Sequence, residues 1–196
     1  PDNIMIGPFG EVLVMDWGLA LPMHGSMAAG IAAPRGPAGT PSYMAPEMAG
    51  GPYEQIGPAS DVYLLGGLLF RILTGRSPHA GRNSIRCLQQ AARNEIQSTD
   101  RDDSLIEIAR RALATRPEDR FASVADLQTA LRDVRRHAES QRLTELAQQE
   151  REAARQSGTY RRFEKAVVSF EQAITLWDGN QAAREALSEV RLEYAQ

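Results

Sequence analysis

Gly39-Thr40-Pro41-Ser42-Tyr43-Met44-Ala45-Pro46-Glu47 is the stretch on which the reading of this chain turns. It closes a long segment, 16–47, that is rich in Gly, Ala and Pro and holds one arginine, Arg35, and no acid between Asp16 and Glu47. A stretch of that length without hydrophobic periodicity reads as a functional or disordered loop. Such a loop cannot fix itself by internal charge pairing. Its hydroxyls, Ser26, Thr40 and Ser42, are the available phosphorylation sites. A phosphate there would add about −1.5 to −2 charge and order the loop by pairing with arginine. Ser26 and Ser42 read more readily as plain loop hydroxyls than as regulatory sites.

Upstream, Ile4–Gly7 and Val12–Met15 are short apolar runs around Gly7-Pro8-Phe9-Gly10, the pattern of a small β-hairpin. Downstream, helical signals take over. Ser60-Asp61 offers an N-cap before Val62–Thr74, and Gly75 supplies the stop. That segment is apolar nearly all round, as in a buried central helix. Ser84–Ile96 and Asp103–Ala114 are amphipathic, and Arg116-Pro117 ends the second. Ser123-Val124-Ala125-Asp126 is a capping box, after which Val124, Leu127, Leu131 and Val134 mark one helical face. From His137 to Gln156 the composition shifts to Ala, Glu, Gln and Arg, a polar helical linker. Gly158-Thr159-Tyr160 breaks it. Phe163–Trp177 is again amphipathic, Asp178-Gly179-Asn180 is a turn, and a last helix runs from Gln181 to the end.

Composition narrows the function classes. With 196 residues and 42% hydrophobic content the chain can build one ordinary domain or a small domain plus an appendage. A net charge of −3 leaves no electrostatic footprint for nucleic acid. The single cysteine, Cys87, excludes an internal disulfide framework and suits a reducing, cytoplasmic setting. The longest apolar run, Val62–Leu73, contains Arg71 and falls short of the roughly 20 residues that span a bilayer. No membrane segment is expected in this chain, and an anchor outside it is left open. Pro1-Asp2-Asn3-Ile4-Met5 has neither an initiator Met nor a basic region before an apolar run, so the chain is expected to begin inside a domain. His24, His79 and His137 are scattered and lack zinc-ligand spacing.

Five signals occur in one order: Pro1-Asp2-Asn3; Met15-Asp16-Trp17-Gly18; the Gly39–Glu47 stretch; Ser60-Asp61-Val62-Tyr63; and Arg116-Pro117-Glu118-Asp119-Arg120-Phe121. Each alone is weak. Their order and spacing over residues 1–136 resemble the large lobe of protein kinases, with Ala45-Pro46-Glu47 the most specific part. Gly-Thr-Pro-Ser-Tyr before Met-Ala-Pro-Glu resembles the serine/threonine-specific members. The resemblance implies that Asn3 and Asp16 bind the Mg²⁺ that accompanies ATP, and oxygen donors of this kind suit that hard ion. Taken singly, Asn3 reads as an Asx turn and Asp16 as a solvated turn carboxylate. Trp17 stands where phenylalanine is commoner, and its ring is expected to pack inward. Thr40 is expected beside the substrate hydroxyl. Glu47 and Arg120 are expected to form a buried salt bridge, with two surface charges as the bland alternative. Asp61 is expected to hydrogen-bond the catalytic-loop backbone, or to serve as a simple N-cap.

The same resemblance implies a glycine-rich loop and a phosphate-gripping lysine, and no Gly-x-Gly-x-x-Gly occurs here. The catalytic base falls three positions upstream of Pro1 and its companion lysine immediately upstream. Lys165, the only lysine, fits neither lysine role. The isolated chain is therefore expected to be inactive, as part of a kinase that phosphorylates Ser or Thr on a protein substrate. The alternative is a pseudokinase scaffold acting through its tail; a purely structural helical-repeat protein comes third.

Residues 146–196 weakly resemble tetratricopeptide repeats: Ala166, Phe170 and Ala173 match the small-large-small pattern, and Leu176–Asn180 the closing turn, with Asp178 where proline is usual. About one repeat is present, where stable arrays need three or more. Such a tail would bind a protein partner or mediate self-association. The expected fold is mainly α: a kinase large lobe, hairpin plus helices, in 1–136, a helical linker in 137–157, and a helical hairpin or repeat-like tail in 158–196.

Overall fold

The computed structural model describes residues 1–22 and 36–194 and divides the chain into two compact units, Pro1–Gln128 and Thr129–Gln196. Ser26 and Arg35 lie outside the described residues. Strands β1 (Ile4–Ile6) and β2 (Val12–Val14) pair antiparallel with Ile4 opposite Val14 and Ile6 opposite Val12. The connection closes through the Gly7 N–H, which donates to the Glu11 carbonyl at 2.9 Å, and through Gly10 at φ 84°. Glycine takes that left-handed conformation without a Cβ penalty.

The helices of the first unit are α1 (Pro46–Gly50), α2 (Pro58–Thr74), α3 (Ser84–Ala92) and α4 (Ser104–Ala112). Helix α2 is the axis of the core. It begins three residues before the expected cap: Gly57 is the N-cap, Pro58 opens the first turn, and Ser60 Oγ accepts the Gly57 N–H at 3.2 Å. Proline at the first helical position costs no hydrogen bond, which is why the helix extends back to it. Tyr63 and Phe70 of α2 are buried with Ala45, Ile106, Ala109 and Leu113. Gly66 lets α2 and α4 meet closely, since a Cβ built there would sit 2.6 Å from the Ala112 Cβ. Gly75, at φ 74°, ends α2 as the sequence predicts.

Helix α3 stops at Ala92 rather than Ile96. The cause is Asn94, held at φ 53° by tertiary bonds: its Nδ2 donates to the Leu113 carbonyl at 2.9 Å and to Thr115 Oγ1 at 2.8 Å. Asp103 caps α4, its Oδ1 accepting the Leu105 and Ile106 N–H groups at 3.0 and 3.2 Å.

Helix α5 runs from Val124 to Ser157, preceded by Ser123, whose Oγ accepts the Asp126 N–H at 3.1 Å. In the second unit, residues of α5 pack with α6 (Tyr160–Leu176) and α7 (Gln181–Tyr194). Residues 137–157 are helical but do more than connect. Ser140, Thr144, Ala147 and Ala154 are buried, and Ala147 joins Ala166, Phe170, Ala173, Ala183, Ala186 and Val190 in one core. Asn180 Nδ2 donates to Ser140 Oγ at 2.7 Å and to Thr144 Oγ1 at 2.9 Å, and its Oδ1 accepts the Ala183 N–H at 3.0 Å. Ser140 Oγ in turn donates to the Ala173 carbonyl at 2.7 Å, so the polar atoms of this Ser140–Thr144–Asn180 cluster are paired, as burial requires. The His137 and Trp177 rings lie 4.3 Å apart. Among the described residues, no helix is long and apolar enough to cross a membrane.

Candidate functional site

The site is built from the hairpin outward. The Asn3 carbonyl accepts the Met15 N–H at 2.8 Å, which continues the β1–β2 pairing by one step. Asn3 and Asp16 thus lie at the same end of the hairpin, both exposed. Asp16 has φ 59°, a left-handed conformation uncommon outside glycine but more accessible to Asp and Asn. Its Oδ1 accepts the Gly18 N–H at 3.2 Å, which ties the carboxylate to the turn that follows. Among the described residues no group of three or more His, Cys, Asp or Glu gathers for a metal. An amide oxygen and a carboxylate are a sufficient protein share for Mg²⁺, which keeps several waters and takes the rest of its ligands from phosphate.

Trp17 does not pack inward. It is 71% exposed, and its Nε1–H donates to the Val14 carbonyl at 3.1 Å. The indole N–H finds its partner at the end of β2, and that bond holds the ring at the hairpin surface.

The Gly39–Glu47 stretch folds into a tight 3₁₀ turn at Pro41–Tyr43 followed by α1. Thr40 is exposed; its carbonyl accepts the Tyr43 N–H at 3.0 Å and its hydroxyl has no partner among the described residues. Ser42 is half-buried, its Oγ 3.8 Å from Cys87 Sγ and its carbonyl accepting the His79 N–H at 3.2 Å. Burial raises the Tyr43 phenol above its ordinary value, with Arg71 opposing and Asp2 adding to the rise.

The structure brings Glu47 and Arg120 together. Arg120 Nη1 donates to Glu47 Oε1 at 2.7 Å and Nη2 to Oε2 at 2.8 Å, with both side chains buried. The remaining guanidinium protons go to the carbonyls of Ala114, Ala59 and Thr115. Ser60 Oγ donates to Glu47 Oε1 at 2.7 Å, and the Arg120 guanidinium lies 4.9 Å from the Tyr63 ring centroid. Burial alone pushes the Glu47 carboxyl up; the hydrogen bonds from Arg120, its own backbone and Ser60 outweigh it and hold the group below its ordinary value. Asp61, in the first turn of α2, is surrounded closely enough for desolvation to raise its carboxyl, and it has no partner among the described residues.

One buried cluster escaped the sequence reading. His79 is fully buried; its Nδ1 lies 3.0 Å from the Glu95 carbonyl and its Nε2 2.9 Å from the Tyr63 hydroxyl oxygen, which is also 2.6 Å from Asn94 Oδ1. Burial lowers the His79 imidazole, against the carbonyls of Glu95 and Met44 and the Glu95 charge. The signal was Tyr63 itself: a tyrosine on the buried face of a central helix needs a partner for its hydroxyl.

A family model described as the protein kinase domain matches residues 1–152. The chain is 32% identical to the serine/threonine-protein kinase PknD of Chlamydia abortus over 99% of its own length and 23% of that protein's. It is 33% identical to PknD of Chlamydia felis over 70% of this chain and 16% of that protein, and 34% identical to the serine/threonine-protein kinase PknK of Mycobacterium bovis over 69% and 12%. The chain thus spans less than a quarter of the length of these relatives.

Proposed function

The chain belongs to the protein kinase family, and from that premise we propose that it is part of a serine/threonine kinase moving the γ-phosphate of ATP onto Ser or Thr of a protein substrate. The observation that carries this reading is the Met15 N–H to Asn3 carbonyl bond of 2.8 Å, which keeps Asn3 and Asp16 at one end of the hairpin. In this reading the Asn3 amide oxygen and the Asp16 carboxylate hold the divalent ion, Mg²⁺. When bound with ATP, that ion neutralises charge building on the phosphate oxygens. The bond from Gly18 to Asp16 Oδ1 orients the carboxylate and leaves its other oxygen available. Thr40 stands beside the acceptor hydroxyl, where its unpaired, exposed side chain is available to position it. Glu47 and Arg120 anchor the end of the loop to the core, so that Thr40 is presented from a fixed base.

Of the two candidate phosphosites among the described residues, Thr40 is the exposed one; Ser42, set against Cys87, would have to leave its place first. We further read residues 1–136 as the catalytic lobe and 137–196 as a helical module for a protein partner or self-association. The buried Ala166, Phe170 and Ala173 support a repeat-like packing of the second unit. The lone buried thiol, Cys87, supports a cytoplasmic setting.

The test is a Mg²⁺ titration of kinase activity in the full-length protein. Asn3→Ala raises the Mg²⁺ needed for half-maximal rate, and Asp16→Ala lowers the rate at least about a hundredfold, the scale of losing one electrostatic stabiliser. Undiminished activity of Asp16→Ala refutes the metal assignment.

A further inference from the structure

From Val62 to Asn94 the chain carries five arginines, at 71, 76, 82, 86 and 93, and no Asp or Glu. In a protein of net charge −3 this is a local reversal of sign. Of these five, only Arg93 finds a carboxylate among the described residues, Glu95 at 3.5 Å. Arg71 turns to the Gly75 carbonyl, Arg76 to the Ser98 carbonyl, and Arg86 to Gln89 Oε1 at 3.4 Å; Arg82 has no hydrogen-bond or ion-pair partner among the described residues. Residues 23–35 and 195–196 contain no Asp or Glu.

Two of these arginines, Arg82 and Arg86, are chain neighbours of the residues packed against the Pro41–Tyr43 turn. Ser42 Oγ lies 3.8 Å from Cys87 Sγ, which is 3.9 Å from the Gly81 carbonyl, and the Ser42 carbonyl takes the His79 N–H. Arg82 follows Gly81 and Arg86 precedes Cys87, so both flank this contact at the start of α3. Arg71 acts from α2: its charge is felt at the Tyr43 phenol, where the opposing acid is Asp2. The N-terminus of α3, capped by Asn83, adds positive potential on the same side.

We propose that the substrate of this kinase carries acidic residues beside its Ser or Thr acceptor, and that Arg82 and Arg86 are the specificity-determining residues that read them, with Arg71 reinforcing the field. The inference rests on the proposed function, because it takes the Thr40–Tyr43 segment as the substrate-facing one. A carboxylate arriving there meets a guanidinium with no carboxylate of its own to give up. Guanidinium is suited to such a role, since it stays charged and can bind a carboxylate at two points.

The test measures peptide binding by this chain at low ionic strength, by fluorescence anisotropy, without ATP. The probes are a Ser peptide flanked by glutamates and the same peptide with glutamines. The glutamate peptide is expected to bind about tenfold tighter, what two or three exposed ion pairs supply together. The difference disappears in Arg82→Glu/Arg86→Glu and persists in Arg93→Glu, a control that reverses one charge at the arginine that already has a partner. Circular dichroism establishes that each variant is folded; should the double charge reversal unfold, Arg82→Gln/Arg86→Gln is expected to reduce the difference at least threefold. Equal affinity for the two peptides, no saturable binding of either, or a preference that survives in the double variants overturns the inference. Because the measurement needs neither ATP nor Asp16, its failure is separate from failure of the metal assignment, which the Mg²⁺ titration reads.

Discussion

Arg120 makes contacts to Glu47 at both carboxylate oxygens and to three backbone carbonyls, so its neighbours are arranged for a guanidinium and nothing else. Arg120→Leu leaves Glu47 buried without its countercharge. It is expected to destabilise the first unit by about 3–5 kcal/mol, measured by urea unfolding. Arg120→Lys recovers only part of this, since an ammonium cannot make the two-point contact. The pairing of positions 47 and 120 was legible in the sequence through the family resemblance, and Glu47 and Arg120 do meet. Trp17 was not legible: whether an indole turns into a pocket or lies along the hairpin depends on which carbonyl its N–H finds, and Val14 supplies one locally.

Helix α2 shows why element existence is easier to read than element ends. Its apolar run announced it, but its start at Pro58 depended on Ser60 serving both the Gly57 N–H and Glu47, a tertiary contact. Likewise α3 ends early because Asn94 is engaged by Leu113 and Thr115, far along the chain. The close meeting of α2 and α4 at Gly66 yields a sharp expectation. Gly66→Ala places a methyl 2.6 Å from the Ala112 Cβ and should cost about 1–3 kcal/mol, despite alanine's higher helix propensity. An unchanged urea midpoint would mean the helices separate freely there. In the second unit, Asn180→Ala strips partners from Ser140, Thr144 and the Ala183 N–H, and is expected to cost about 1–3 kcal/mol, read from the same unfolding curve. Residues 137–157 looked like a linker because their buried face is made of Ala, Ser and Thr, which a count of large apolar residues does not register.

At the scale of the whole molecule, the pH dependence follows from two buried groups shifted downward. His79 has a folded value below its ordinary 6.5. As pH falls below about 6.5 the unfolded chain takes up a proton that the folded one does not, so stability declines until the folded value is passed. Glu47 also lies below its ordinary 4.5, so its contribution is intact above that pH and is lost as pH falls through the folded value. Stability measured against pH should therefore drop in two steps on acidification, and His79→Phe should remove the upper one. A profile flat between pH 7 and 5 contradicts the buried neutral histidine. The order of motifs over residues 1–136 made the family legible, because each motif is a fixed part of one phosphate-handling scaffold. The polar cluster around His79 was not, because only the packed fold brings Tyr63, His79 and Asn94 together.

The central claim is that Asp16 serves phosphoryl transfer to hydroxyl side chains. The most direct measurement is phosphoamino-acid analysis of protein labelled from γ-³²P-ATP by the full-length protein and by its Asp16→Ala variant. Label on serine and threonine with the wild-type protein, and none above background with the variant, is the predicted result. Label confined to tyrosine, or equal labelling by both proteins, contradicts it.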